Sequence, residues 1–525
     1  MSARTWTLVA VVLGSGIVFL DSTIVNVALR SMAEDLTSTL VAPLEAQTYV
    51  VSGYLLTLSA LLILAGALAD VYGRKRLFVI GLAGFGVTSL VCGLAPNMEL
   101  LILARLAQGA FGALLVPTSL ALINATFSGP ERGAAFGIWT AATSAMLLLG
   151  PPIGGFLVDT FDWRIAFLIN IPLVAAGVVI AVTRLEESRN PDVPDRFDWL
   201  GAIAVALAVG GLAYGAIRGE AQRWADPSAF VALAVGTVAT IALVPLMTRR
   251  REPLVPPSLF ASRNFTVTNI STLLIYGALY AFSSFLAIFL QGTFEYTAAA
   301  SGMAGVPISV ALILLSTTYG RIAAQRGPRL FMSAGPALMA AGLLWFLRLP
   351  ADSQPWLLSF SDPATLIPPG DYFIDILPAM ILFALGISML VAPLTTALMT
   401  SVPTGNSGLA SAINNAISRI GPLLATAVIF IGVSAAFYGG LADRLPGVDV
   451  SAPEVVEALP PLNAPAPEAP AEQQQAAREA STDAFRLAML IVAVLCAAGA
   501  VVNAVGIRDA DALAAGRGSD PAPSG

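Results

Sequence analysis

Apolar runs of about 20 residues recur from one end of this chain to the other, each long enough to cross a hydrocarbon core of roughly 30 Å. Bounded by charge, Gly or Pro, they fall near 6–29, 47–69, 77–95, 100–127, 133–157, 163–183, 199–217, 228–248, 264–290, 300–320, 330–349, 376–400, 408–438 and 485–507. In lipid each backbone N–H and C=O has to be satisfied within the structure, so each run is expected to be a helix. The chain therefore reads as an all-α polytopic membrane protein with fourteen spans. Composition agrees, with 57% hydrophobic and 11% charged residues and a mean hydropathy of +0.80. Arg4 precedes the first run, but a full-length span follows with no small-residue cleavage site, so a span is expected there and not a removed leader.

Absences narrow the chemistry. The chain has no histidine, which removes the commonest metal ligand and the side chain that ordinarily titrates near neutral pH. Its two cysteines, Cys92 and Cys496, lie in separate apolar runs and read as small apolar filler. No metal site and no cofactor are expected, and the lack of clustered carboxylates within the spans argues against an enzyme. A net charge of −6 offers nothing to nucleic acid.

Basic residues set the orientation. With the N-terminus inside, the inner loops hold 17 of the 27 Lys and Arg residues and the outer loops hold 8. Basic residues are retained on the cytoplasmic side, so both termini are expected there. Abundant Arg and Ala with Lys75 as the one lysine suggest a GC-rich bacterial genome, hence the plasma membrane of a bacterium. Of the outer loops, 439–484 runs through Pro, Ala, Glu and Gln, a composition expected to be disordered or loosely helical.

Three charges remain deep in spans: Asp21, Arg105 and Arg419. A carboxylate there is costly unless paired, hydrated or protonated, which makes Asp21 a functional candidate. Gly14, Asp21 and Ala28 recur every seven residues, with Ser15, Ser22 and Asn26 on the adjacent stripe, so Asp21 faces the bundle interior. At 1.5 Å per residue, Asp21 and Arg105 both lie roughly 8–9 Å below the outer surface. They are predicted to interact, as a proton switch or as a static structural pair. Arg419 follows Ser411, Asn414, Asn415 and Ser418. It would line a cavity, neutralise Asp21 across the molecule, or bind backbone carbonyls beside Gly421 and Pro422. Tyr54, Trp139, Tyr276, Tyr280 and Phe282 are further cavity candidates.

The inner loop after the second run is Gly66-Ala-Leu-Ala-Asp70-Val-Tyr-Gly73-Arg74-Lys75-Arg76. Its glycines permit a tight turn and close helix approach, and Asp70 can accept from a neighbouring helix N-terminus or pair with Arg74. A positive-inside loop would explain the cations but not the glycine frame. This pattern resembles the loop signature of the major facilitator superfamily. Leu20-Asp21 through Asn26 to Leu29 resembles the first-helix motif of its fourteen-span drug:proton antiporters. Arg105-Leu-Ala-Gln108-Gly109-Ala-Phe-Gly112 resembles the motif linked to proton transfer. Gly150-Pro151-Pro152-Ile-Gly154-Gly155 resembles the antiporter motif of exporters, and Trp163-Arg164 with Phe167, Asn170 and Pro172 is similar to the multidrug branch. Two departures stand out: Arg30 replaces an expected proline, and the second loop copy, Gly320 to Gly327, carries Gln325 near the usual acid.

The resemblance implies a major facilitator fold of two six-helix bundles, 1–190 and 253–510. Two additional helices lie in 191–252, and a cytoplasmic tail spans 511–525. It further implies multidrug efflux by proton-coupled antiport, which would confer antibiotic resistance. Asp21 and Arg105 would carry proton coupling. Gly66, Asp70, Gly73 and Arg74 would form a conformational latch. Gly150, Pro151, Gly154 and Gly155 would seal the cavity, and Asn26, Tyr54, Trp139, Tyr276, Asn414, Asn415 and Arg419 would line it. Expected partners are amphipathic, cationic small molecules, protons and the bilayer, with the chain a monomer. The alternatives are export or uptake of one specific metabolite, lipid or sugar, with the antiporter motif arguing against uptake, or a non-transporting receptor.

Overall fold

A computed structural model describes residues 2–37, 43–189, 197–221, 226–250, 253–359, 362–450, 452–510 and 512. The first half of the chain supplies α1 (Ala3–Asp35), α2 (Pro43–Tyr72), α3 (Arg74–Gly93), α4 (Met98–Thr126), α5 (Gly129–Thr160), the turn-long α6 (Ile165–Leu168) and α7 (Asn170–Arg184). Then come α8 (Trp199–Ala221) and α9 (Pro227–Arg249). The second half supplies α10 (Ser258–Ala261), α11 (Arg263–Gly292), α12 (Ala298–Ala304), α13 (Val306–Arg326), α14 (Arg329–Trp345), α15 (Leu377–Thr400), α16 (Ser407–Arg444), α17 (Pro453–Ala458) and α18 (Ala471–Gly506).

Among the described residues, 13 helical stretches are long and apolar enough to cross a membrane. α5 is not one of them. It carries Glu131 and Arg132 in its first turn and a Gly-, Ala- and Thr-rich middle, and some of its side chains lie outside the described residues. Helix starts follow ordinary capping: the Asn97 side chain accepts from Leu100 N at 2.9 Å, and Asp226 accepts from Ser228 N at 2.8 Å.

The two halves repeat one packing scheme. α1 packs on α5 and α7, α2 on α4, and α3 on α4 and α7. Likewise α11 packs on α16 and α18, α13 on α15, and α14 on α15 and α18. Across the divide α2 meets α16 and α5 meets α13, so each half gives the same pair of helices to the junction. α8 lies against α2 and α16, touching both halves, whereas α9 packs on α8 alone among its larger contacts and leaves Val231, Val238, Ile241 and Val244 exposed. Such a face fits lipid and would not persist in water.

The cores show where the halves meet. Leu398, Met399, Leu409, Ala412, Ile413 and Ala416 of the second half join a core otherwise built mainly from the first. All lie toward the end of the molecule bearing residues 66–76. Toward the other end, Leu20, Ile24, Ala28 and Trp163 belong to a core made of first-half residues alone.

Of the two states expected for 439–484, disordered or loosely helical, the described residues take the helical one. α16 and α18 run on through its ends, α17 lies between them, and Leu459 and Leu462 are buried in the second-half core. Composition predicted poor burial, but two leucines and a serine-capped turn (Leu462 N to Ser481 Oγ, 3.1 Å) suffice where neighbouring helices supply the apolar wall.

Candidate functional site

Asp21 sits on α1 with none of its surface exposed, opposite Arg105 on α4, which is 1% exposed. Arg105 Nη1 donates to Asp21 Oδ2 at 2.5 Å. The other carboxylate oxygen accepts from Gln108 Nε2 at 3.1 Å and from Asn170 Nδ2 at 3.0 Å. Arg105 also donates to Gln108 Oε1 at 2.7 Å and, through Nε, to Val50 O at 3.0 Å. Ser89 Oγ accepts from both Gln108 and Asn170, at 2.7 and 3.2 Å. The Tyr54 ring lies 4.1 Å from the guanidinium carbon and covers its face. α4 and α7 thus converge on the α1 carboxylate, α3 braces their amides through Ser89, and α2 closes the site.

This arrangement holds both charges only while both are present. Desolvating each ion costs several kcal/mol, which their mutual attraction and dense hydrogen bonding offset. Adding a proton to Asp21 would leave Arg105 charged, dry and without its counter-ion.

The sequence placed Asp21 and Arg105 at one depth but gave no role to Ser89 or Val50. Gln108 and Asn170 stand in the sequence only as members of larger motifs. Gln108 was the findable one, since it lies three residues beyond Arg105 on the same helix face. Tyr54 differs from its expected place in a cavity: fully buried, it is the lid of the ion pair.

The second cluster lies where α2, α4 and α16 meet. Arg74 donates to Asp70 Oδ1 through Nε at 3.0 Å and Nη2 at 2.8 Å. Asp70 also accepts from Gly408 N at 3.1 Å and Leu409 N at 2.8 Å, capping the start of α16 in the other half. An anion there is favoured by the helix dipole. Arg74 reaches across as well, to Gly405 O at 3.2 Å, and Ser407 Oγ accepts from Asn124 Nδ2 at 3.1 Å. Gly66 is required by contact, because a Cβ there would lie 2.3 Å from Gly408 O. Gly73 is required by conformation, with φ of 108°, and the adjoining Glu187 carboxylate accepts from Lys75 N and Arg76 N.

The repeat supplies the matching corner but not the matching acid. A Cβ on Gly320 would lie 2.5 Å from Gly133 O, as Gly66 does with Gly408, and Gly327 has φ of 99° beside Asp509. Counting on from Gly320 as from Gly66 puts Ala324 in the place of Asp70, and Ala324 faces Gly133. Gln325 is exposed and plays no part.

The remaining candidates scatter. A Cβ on Gly150 would meet Thr23, and one on Gly154 would meet Ile24, so this segment of α5 packs on α1. The side chains of Pro151 and Asn26 lie outside the described residues. Trp163 Nε1 and Arg164 Nη1 both donate to Asp35, at 3.1 and 2.8 Å, and those contacts, the tryptophan's first, hold its carboxyl below the usual range. Trp139 is buried with its edge against Phe19. Tyr276 is half-buried, Tyr280 is 52% exposed, and Phe282 is buried in the second-half core, tilted against Phe383. Asn414 Nδ2 donates to Asn269 Oδ1 and Thr272 Oγ1, and Asn415 Nδ2 donates to Ser411 O of its own helix.

This fold and these corners define a class. Residues 11–426 match the family model described as Major Facilitator Superfamily, and the chain belongs to that superfamily of multi-pass membrane transporters. It is 32% identical over 424 residues to the multidrug resistance protein Stp of Mycobacterium tuberculosis, covering 81% of this chain and 74% of that one. It is 31% identical over 447 residues to the puromycin resistance protein pur8 of Streptomyces alboniger, covering 84% of each. Among solved structures it is similar to the human organic anion transporter MFSD10 (TETRAN), with a TM-score of 0.59, covering 95% of this chain and 99% of that one; at 13% identity this likeness concerns the fold alone.

Proposed function

We propose that the chain is a proton-coupled exporter of amphipathic small molecules. It would have fourteen spans, both termini in the cytoplasm of a bacterium, and act as a monomer. The bundles 1–190 and 253–510 would rock about a central site, with the helices of 191–252 as an addition and 511–525 as a tail. The relatives named for drug resistance support the export reading. The observation that carries coupling is the closed Asp21–Arg105 pair, since Asp21 is the one acid deep in a span and no histidine exists to share its work.

With the N-terminus inside, the Asp70 latch and the α2–α16 and α5–α13 junctions close the cytoplasmic end, which corresponds to an outward-facing state. A proton arriving from outside would neutralise Asp21 and strand Arg105. The protein would then favour a conformation that rehydrates the guanidinium. Coupling requires only that proton and cargo prefer different states.

The test is transport in proteoliposomes with an imposed pH gradient, comparing wild type with Asp21→Asn. Gradient-driven flux of several dyes and drugs should fall by at least about a hundredfold in the variant, the lower end of what one proton-transfer group contributes. Undiminished gradient-driven flux would sink the coupling role of Asp21. Flux of a single compound out of a broad panel would favour a specific-metabolite exporter.

A further inference from the structure

Two of the three deep charges cancel within a site that exposes neither. Arg419 does not cancel. It is half-buried on α16 and, among the described residues, has no hydrogen-bond or ion-pair partner. The neighbouring polar groups are engaged elsewhere: Asn415 with Ser411, Ser418 with the Asn415 carbonyl, and Asn414 with α11. Gly408, Ala412, Ala416 and Arg419 fall on one stripe at helical spacing. The lower members of that stripe pack into the first half, with Ala412 against Gly66 and Ala416 in the shared core. Arg419 thus faces the first half one turn above the last packed residue, roughly 18 Å from the start of α16 and so near mid-membrane. Its charge is within electrostatic reach of Tyr54, the lid over Arg105.

A guanidinium in that setting attracts an anion, because the described residues provide none and a charge at mid-membrane is costly unless paired. The acid that might have served, Asp21, is fully occupied by Arg105, Gln108 and Asn170. A cationic cargo would meet an uncompensated positive charge, which runs against the expectation drawn from the sequence. We propose that Arg419 is the charge-recognition site for cargo, and that it holds the carboxylate or ionised phenol of an amphipathic organic anion. This rests on the exporter reading above and names its substrate class.

An electrical signature follows. Exchange of a monoanion for an entering proton moves two charges per cycle, whereas one-for-one exchange of a monocation moves none. Proteoliposomes with an acidic interior would be given two xanthene dyes, fluorescein as the anion and rhodamine 6G as the cation, and the dye retained after filtration measured. Wild type should accumulate fluorescein in preference, and faster when a potassium–valinomycin gradient makes the interior positive. Arg419→Gln should cut fluorescein uptake at least about tenfold while leaving rhodamine 6G no lower, and Arg419→Lys should restore most of it. Uptake of rhodamine 6G alone, or fluorescein uptake indifferent to Arg419→Gln, would overturn the proposal and leave the exporter standing. Uptake of neither dye would overturn both. The wild-type preference and its voltage dependence decide the matter even if the glutamine variant does not fold.

Discussion

Asp21 and Arg105 are individually expensive and jointly tolerable. Removing one partner of a buried ion pair costs about 3–5 kcal/mol, because the survivor stays charged and dry, whereas removing both is often close to neutral. Asp21→Asn should therefore lower the thermal transition of the detergent-solubilised protein, and Asp21→Asn combined with Arg105→Gln should melt above it. A double variant that melts lower still, by the sum of the two single losses, would show that the pair is not energetically coupled. The same imbalance would give a proton its leverage in the proposed transport cycle. At this scale the sequence carried the two charged partners by depth alone. It did not carry Asn170, which lies 149 positions from Asp21 and reaches it through the packing of α7 on α1.

Helix pairs, and not single side chains, decide which end of the molecule is shut. At the Gly66–Gly408 crossing the backbones approach so closely that any Cβ collides with a carbonyl oxygen, whereas a Cβ on Gly432 of the same α16 would meet nothing within 4 Å. Gly66→Val should hold the α2 and α16 ends apart, seen as a longer distance between spin labels placed on them, while Gly432→Ala should leave it unchanged. An unchanged distance in Gly66→Val would mean that this crossing is not part of the seal. The latch is also one-sided. Asp70 caps α16 across one crossing, but Ala324 faces α5 across the other, so the two junctions separate against different resistance. The loop motif announced the first corner in sequence. The second corner has no acid in that register: four residues on from Gly320 stands Ala324, next to Gln325, and the crossing sets Ala324 against Gly133.

Orientation belongs to the whole molecule, and it can be tested on a quiet background because Cys92 and Cys496 are both fully buried. Asp352→Cys should be labelled on intact cells by a membrane-impermeant maleimide, and Arg4→Cys only after the membrane is opened. The reverse pattern would invert the topology and with it the direction of every step above. The helical form of the apolar runs and the presence of a few charges within them were legible in the chain, because solvation in lipid acts on each segment separately and leaves its mark in local composition. What those charges do was not legible. Tyr54 covers the Arg105 guanidinium, Asn414 ties α16 to α11, and Leu459 and Leu462 anchor a loop that composition left as disordered or loosely helical. Most tellingly, Asp21 was matched, and Arg419 left without a partner among the described residues, only when α1, α4, α7 and α16 took their places. Burial and pairing are properties of several helices at once. A single segment records that a charge is present, but only the assembled bundle decides which charge is satisfied and which is left to be met by something else.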